Sequence, residues 1–457
     1  MKPYCYKIWN EIKKELNNKL DTMEIEEAYF PMFITEETLS KEKDHLEGFT
    51  SEVAWVTKVG ETDLEKKLAI RPTSETIMYP YFSKWIRTYK NLPLKINQWC
   101  NVVRWEFKDP TSLIRAREFL WHEAHTVHAT EEEAIQQVEN ALSVYENIYE
   151  NLLAVPVIKG IKTQAEKFAG ADQTMTIEGY VMEAGKGIQA GTSHNLGKNF
   201  AKMFNIEFEN KEKEKHNPYQ TSFGLTIRSI GLMIMTHSDN KGLILPPKIA
   251  PIQIIIIPIL SKKCSANDED ELLKQCNYFH YILSKNFRVK LDNNRDNTAG
   301  YKYNYYELKG VPLRIEVGKE ECENSEICLY RRDTNTKEKI DIKTTTNDEF
   351  NEIINEKLES IQSNLYEKAK QKVNNNVIEI TLFDEFVENL KQGKMVLTPF
   401  YEDIELEEII KIRCREKYNL KGIKTLCKPL KQNNLDNMKC FASDNQATCW
   451  VLWGKSY

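Results

Sequence analysis

The chain has 457 residues, of which 41 % are apolar, enough to bury the cores of roughly two to four domains. Its 63 basic and 68 acidic residues leave a net charge of −5, which excludes binding of nucleic acid by bulk charge and leaves only local patches for that purpose. Ten cysteines without tight pairs exclude a disulfide scaffold and suit reduced thiols in a cytosol-like compartment. No apolar run reaches the roughly 18–20 residues of a membrane-spanning helix, so no membrane partner is expected.

In chain order, Tyr6 to Leu20 is predicted as a charged amphipathic helix rather than a signal peptide. Arg71 to Glu75 reads RPTSE, and Arg104-Trp105-Glu106 opens a stretch that ends with Arg115, Arg117, Glu118 and Phe119. Arg115 to Val127 alternates as a strand does. Arg115, Arg117, Phe119, Trp121, Glu123 and His125 then share one face. Arg104 and Glu106 share parity on the preceding segment, with a turn at Asp109-Pro110, so an antiparallel pair would place these groups on one wall of a pocket. The strand splits its histidines, His125 inward and His122 and His128 outward, which argues against a shared zinc.

Thr130 to Glu133 has the form of a capping box, and the helix behind it sets Ile135, Val138, Leu142, Tyr145, Tyr149 and Leu152 at helical spacing. Asn210 to Asn217 and Asn374 to Asn376 read as solvated loops, and Arg228 follows in GLTIRSIG, before HSDNKGLILPPK. A second domain is expected after the Leu245-Pro246-Pro247 break. Strand Ile252–Leu260, helix Asp268–Phe287 and strand Arg288–Asp292 form a βαβ unit and hence a parallel sheet. Strands Val311–Val317 and Ile327–Arg331 and a long helix Asp348–Val373 complete it, and a third module runs from about Asn374 to the terminal LWGKSY.

Three arginines in separate short segments, two with an acidic neighbour, suit a site that grips a polyphosphate and something cationic. A guanidinium fork matches phosphate oxygens and keeps its charge. Arg104 is placed at the phosphate that is attacked, and Arg115 and Arg228 at the leaving pyrophosphate. The chemistry is then positioning plus neutralisation of developing charge, shared with magnesium carried by ATP.

On these motifs the chain resembles the class II aminoacyl-tRNA synthetases, and among them the prolyl-tRNA synthetases of the eukaryotic-cytosolic and archaeal kind. EEAYFPMF with Pro31 resembles the end of motif 1, Val103 to His125 motif 2, and GLTIRSIG motif 3; IRPTSE, EKFAGAD, GIQAGTSHNLG and HSDNKGLILPP are similar to further blocks of that family. The resemblance covers nearly the whole chain. It implies α+β and α/β architecture in three parts: an antiparallel class II catalytic domain flanked by helices at 1–248, an α/β anticodon-binding domain at 249–373, and a small α/β C-terminal domain at 374–457. The implied function is ATP-dependent activation of L-proline to prolyl-adenylate and its transfer to tRNA(Pro), by a cytoplasmic homodimer that meets through the Pro31 segment.

Carried over residue by residue, the resemblance gives Thr73 and Glu75 to the secondary ammonium of proline, with Arg104 nearby, and Trp121, Phe168 and His194 to the ring pocket. Phe119 stacks on adenine, Gln189 and Thr192 lie near the ribose and α-phosphate, and Glu106 and Thr226 join Arg104, Arg115 and Arg228 around ATP. A small apolar ring is selected mainly by shape. No catalytic base is implied: the proline carboxylate attacks directly, and the tRNA 3′ hydroxyl then attacks the adenylate.

In the second domain Glu307 and Arg314 stand where the family reads two guanines of the anticodon. The family's lysine after Gly-Pro is missing, because the run here is Gly318-Lys319-Glu320. Lys319 is the substitute on offer. The family's four zinc cysteines correspond to Tyr401, Leu406, Cys440 and Ala442, and Cys414, Cys427, Cys440 and Cys449 stand 13, 13 and 9 residues apart with no CxxC pair, so zinc is not expected. Ser456-Tyr457 matches the family's ending, whose tyrosine lies near the active site. The sequence begins at what resembles the first catalytic helix, without the segment that usually precedes it, and the interval between motifs 2 and 3 is too short for an inserted editing domain. The alternatives are another class II synthetase (threonyl, histidyl or glycyl type) and a non-catalytic, synthetase-like RNA-binding protein; RPTSE, EKFAGAD and GTSHNLG argue against the first, and retention of the arginines and Glu75 against the second.

Overall fold

The computed structural model describes residues 1–40, 53–106, 109–260 and 265–457. It divides into two compact units, one made of Met1–Lys14, Tyr149–Pro156 and Met233–Lys372, the other of Glu15–Ile148, Val157–Leu232 and Val373–Tyr457. No helix among the described residues is long and apolar enough to cross a membrane.

The larger unit is built on a sheet that has eleven strands among the described residues. In sheet order, the first six are Glu26–Glu27, Leu94–Val103, Glu118–His128, Tyr219–Thr226, Lys186–Gly197 and Gln173–Val181. Ile158–Ile161, Ile423–Pro429, Cys449–Ser456, Met395–Phe400 and Val377–Glu379 follow. Most neighbours are antiparallel. The C-terminal module therefore continues the larger sheet, through Lys428 and Pro429 against Ile161 and Gly160. Lys455 and Ser456 also pair, in parallel, with Lys186 and Gly187.

In the predicted antiparallel pair, Cys100 faces Trp121 and Val102 faces Phe119. The regular strand is Glu118–His128, however, and not Arg115–Val127. Arg115 sits in a tight turn where its N–H and C=O both bond Thr111, and Arg104 leaves the strand after donating its N–H to the Arg117 carbonyl at 2.7 Å. Local turn bonds thus override the period-2 pattern there. The helix Glu131–Asn147 begins as expected at Thr130, whose hydroxyl accepts the Glu133 N–H. Its capping box differs in one bond, since the Glu133 carboxylate takes the N–H of Ala129 at 3.2 Å rather than that of Thr130. Ile135 is exposed, not core, and Gln137 takes a buried place on that helix.

The smaller unit carries a five-stranded sheet among the described residues, in the order Val289–Leu291, Ile254–Pro258, Leu313–Val317, Glu326–Arg331, Thr336–Asp341. The first three are parallel, as the βαβ reading requires. The run Ile254–Ile257 is wholly buried, which suits a central parallel strand covered on both faces. Sequence patterning missed the helices Ala299–Leu308 and Lys319–Asn324 and the edge strand Thr336–Asp341, whose polar residues alternate without an apolar face.

Candidate active site

A cavity of about 430 Å³ opens on the larger sheet, and every residue given above to the proline and nucleotide sites lines it. One end is built on the turn before the helix Glu75–Trp85. Arg71, itself buried, anchors that turn by donating from Nε to the Asn101 carbonyl at 2.9 Å and from Nη1 to the Phe30 carbonyl at 2.8 Å. Ser74 stands at the N-cap but does not cap. Its hydroxyl donates to the Glu123 carboxylate and accepts Gln98 Nε2 at 2.7 Å, so the turn is stapled to the sheet floor. Thr73 and Glu75 therefore project from a fixed turn, with the Thr73 hydroxyl on the Glu75 carboxylate and Glu75 only 5 % exposed.

Beneath Glu75 lies a buried pair. Glu123 accepts from Gln98 Nε2 at 2.7 Å and meets His125 Nε2 at 3.1 Å, while His125 Nδ1 meets the Tyr79 hydroxyl at 3.0 Å. Burial would raise the Glu123 carboxyl, but its bonds to His125, Ser74 and Gln98 win and hold it below the ordinary range. Burial would lower His125, and the bond from Glu123 with the nearby Glu75 charge raises it instead. His194 has no such partner acid; burial first, then the charges of His125 and Arg104, drive it down to about 3, so its ring is neutral. His194 Nδ1 meets the Thr174 hydroxyl at 3.0 Å, the same oxygen accepts the Phe168 N–H at 3.0 Å, and the two rings lie 4.7 Å apart. This end of the cavity joins a carboxylate to an aromatic wall, which suits a small apolar ring carrying a cation.

The arginines are oriented by backbone carbonyls. Arg104 Nε donates to the Pro72 carbonyl at 2.9 Å, and its guanidinium lies 5.3 Å from the Trp121 ring and 5.7 Å from the Phe119 ring. Arg228 opens the helix Arg228–His237, donating Nε to the Ile114 carbonyl at 3.0 Å and Nη1 to the Gln189 carbonyl at 3.2 Å, while its N–H bonds the Thr226 hydroxyl at 3.1 Å. Burial lowers the pKa of Arg115, and Glu106 counters it. Arg117 was expected on the same wall but does not line the cavity; it stacks 4.3 Å from the exposed Trp105 ring. His122 and His128 face the other side of the sheet, His122 bonding the Tyr145 hydroxyl.

Several lining residues escaped the sequence reading. Glu123 and His125 were legible by strand parity, but only as wall positions. Lys162, Glu166, Glu178 and Lys424 close the far side, with Tyr457, which the resemblance had put near the site. Lys162 Nζ donates to Glu178 at 2.7 Å and to the Leu426 carbonyl at 2.6 Å, and Glu166 joins Lys411 at 2.8 Å to Lys424 at 3.2 Å. No local signal marks residues paired across that much sequence.

In the smaller unit, Glu307 and Arg314 are brought together. Arg314 is buried, donating Nη1 to Glu307 at 3.1 Å and Nε to Glu316 at 2.8 Å, and its guanidinium lies 4.0 Å from the ring centres of Tyr303 and of Tyr330. Lys319 is set apart, at the first turn of its helix, donating to Asp268 at 2.9 Å.

Three family models match the chain: tRNA synthetase class II core domain (G, H, P, S and T) over residues 55–237, anticodon binding domain over 253–348, and prolyl-tRNA synthetase C-terminal over 383–457. A cytoplasmic proline--tRNA ligase of Arabidopsis thaliana is 46 % identical over 459 residues, covering 100 % of this chain and 85 % of the relative. A proline--tRNA ligase of Encephalitozoon cuniculi is 41 % identical, with 100 % and 92 % covered. The crystal structure of prolyl-tRNA synthetase from Cryptosporidium parvum, complexed with halofuginone and AMPPNP, superposes with a TM-score of 0.94 at 48 % identity, covering 100 % of this chain and 92 % of that one.

Proposed function

The chain belongs to the prolyl-tRNA synthetase family, and we propose that the cavity described above is where it makes prolyl-adenylate and passes proline to tRNA(Pro). It is a proline--tRNA ligase, joining proline to tRNA at the expense of ATP. The observation that carries the site assignment is that all residues expected at the proline and nucleotide sites line one cavity. Glu75 supplies the charge for the secondary ammonium, with Thr73 beside it and Arg104 between the two substrates. The neutral His194 ring, with Phe168 and Trp121, excludes water around the apolar ring. Phe119 takes adenine, and Arg104, Arg115 and Arg228 neutralise the phosphates, with Glu106, Gln189, Thr192 and Thr226 completing the nucleotide end. Preorganised charge of this kind acts without reorganisation as charge develops at the phosphate.

Magnesium fits this end as an ion carried by ATP. Its usual protein share is one or two carboxylates, with phosphates and waters supplying the rest. Glu106, 4.0 Å from Arg104 Nε, is a carboxylate at this end that would hold the ion, which would add neutralisation of phosphate charge. We assign catalysis to 1–248, anticodon binding to 249–373 with Glu307 and Arg314 as its readers, and an auxiliary role to 374–457. Assembly as a homodimer is supported by an exposed aromatic patch around Pro31, where Tyr29, Phe33, Tyr81 and Trp85 are each more than a third exposed. A cytosolic site of action follows the Arabidopsis relative.

The test is proline-dependent pyrophosphate exchange by Glu75→Gln, with proline and ATP saturation measured separately. Proline affinity should fall by roughly 2–5 kcal/mol, the cost of truncating one partner of a buried charge pair, with ATP affinity little changed. Equal losses for both substrates would sink the assignment.

A further inference from the structure

Three neighbouring strands of the smaller unit carry a row on one face. Arg314 is opposite Tyr330, and Tyr330 is opposite Lys337 on the edge strand. Glu316 ties the two ends together from below. Its side chain is 4 % exposed, and it accepts Arg314 Nε at 2.8 Å on one oxygen and Lys337 Nζ at 2.6 Å on the other. The Lys337 ammonium also lies 5.3 Å from the Tyr303 ring, the ring that covers one face of the Arg314 guanidinium. Its side chain nevertheless remains 48 % exposed. The row thus sets a half-exposed ammonium on the second oxygen of the carboxylate that holds Arg314, whose guanidinium also bonds Glu307 at 3.1 Å. Lys319, 47 % exposed and bonded to Asp268 at 2.9 Å, is no more engaged than Lys337 and differs in lying outside this row.

We propose that Lys337 is a tRNA-binding residue that holds a phosphate of the anticodon loop next to the base met by Glu307 and Arg314, and that it, rather than Lys319, is the lysine of this surface that meets the anticodon. The inference rests on the assignment of Glu307 and Arg314 to the anticodon. An ammonium is a compact point charge on a long stem, suited to a phosphate oxygen, whereas base edges are read by planar forks. Glu316, buried under the row, cannot reach RNA. It instead fixes the azimuth of both cations, and Tyr303 and Tyr330 keep the guanidinium in plane.

The experiment is binding of a tRNA(Pro) transcript to the full chain across a salt series. One single-stranded phosphate contact accounts for about 0.7 in the slope of log affinity against log salt. Lys337→Gln should lose that slope and about fivefold in affinity at 0.1 M salt, which is the same slope expressed at one concentration. Lys337→Arg should keep both, and a wild-type melting temperature for Lys337→Gln would show that the sheet edge is intact. Lys319→Gln should keep the wild-type slope. A wild-type slope in Lys337→Gln, or a loss seen only in Lys319→Gln, overturns the inference. Glu307→Gln separates the two levels: if it loses tRNA binding while Lys337→Gln does not, only the lysine is wrong, and if it binds tRNA normally the anticodon assignment falls with it.

Discussion

Replacing Lys162 by Met tests whether the C-terminal module is locked to the catalytic sheet by a buried charge. The Lys162 side chain is 9 % exposed and that of Glu178 is 1 % exposed, with Nζ 2.7 Å from Oε1. The same ammonium donates at 2.6 Å to the Leu426 carbonyl, and Glu178 also accepts the Thr176 hydroxyl at 2.8 Å. Methionine keeps most of the apolar stem, so the loss is chiefly electrostatic. Removing one partner of a buried pair costs about 3–5 kcal/mol, and the deprived carbonyl adds to this, since a buried acceptor left unsatisfied costs about 1–3 kcal/mol by itself. The two overlap, and we expect a loss on the order of 4 kcal/mol, a large part of a typical stability of about 5–15 kcal/mol. The double variant Lys162→Met/Glu178→Leu should recover most of it, because an apolar pair of similar volume is often neutral or stabilising. Urea unfolding followed by tryptophan fluorescence reports on this region directly, since Trp450 and Trp453 lie on the strand beside Leu426. The midpoint should fall with the slope unchanged. A single-variant loss under about 1 kcal/mol, or a double variant no better than the single, would refute the reasoning.

Three further outcomes are expected. Arg104→Ala should slow adenylate formation by on the order of 3 kcal/mol of barrier, the scale of one preorganised charge, and near-normal pyrophosphate exchange would remove Arg104 from catalysis. Burial holds His122 and His194 down to about 3 and His128 and His237 down to about 4, so the folded chain binds fewer protons there than the unfolded one. Stability is therefore full above the unfolded histidine range and is lost as pH falls from about 6.5 towards those values, by up to about 1.4 kcal/mol per pH unit for each ring. His122→Gln should flatten the measured slope by that amount; an unchanged slope would contradict it. In the C-terminal module, Cys414, Cys440 and Cys449 belong to one apolar cluster with Trp453 and Phe386, while Cys427 belongs to another. Burial raises the thiols of Cys414 and Cys449 to about 11, the reverse of what a zinc thiolate needs. Elemental analysis should find no stoichiometric zinc, and a chelator should leave Tm unchanged; one zinc per chain would overturn this.

Part of the candidate site was legible in the sequence because strand parity is locally encoded. Strand parity alone set Phe119, Trp121, Glu123 and His125 on one face, and all four line the cavity. Parity also placed Arg115 in the cavity, but for the wrong reason: it reaches the site from a turn closed on Thr111, and Arg117 does not reach it. Thr174 gave no signal, since a threonine in a strand is ordinary, yet it orients both Phe168 and His194. The saturation of Arg314 was also invisible, because Glu316, Tyr303 and Tyr330 acquire meaning only when three strands align.

Apart from Glu75, Phe168 and His194, which rest on the resemblance to the synthetase family, the sequence by itself offered three candidate arginines, the wall residues Phe119, Trp121, Glu123 and His125, and the buried parallel strand Ile254–Ile257. These depend on residue type and on periods of a few residues, which a linear chain carries openly. Only the tertiary structure decided that the last module would extend the catalytic sheet, bringing Leu426 to Lys162 and Lys424 to the cavity. It also decided that Glu123 and His125 would share a buried proton-binding pair under Glu75, and that Lys337 rather than Lys319 would stand beside Arg314. Strand pairing is a contact between edges distant in sequence, and the fate of a buried charge depends on who its neighbours are. Neither is written in any local pattern.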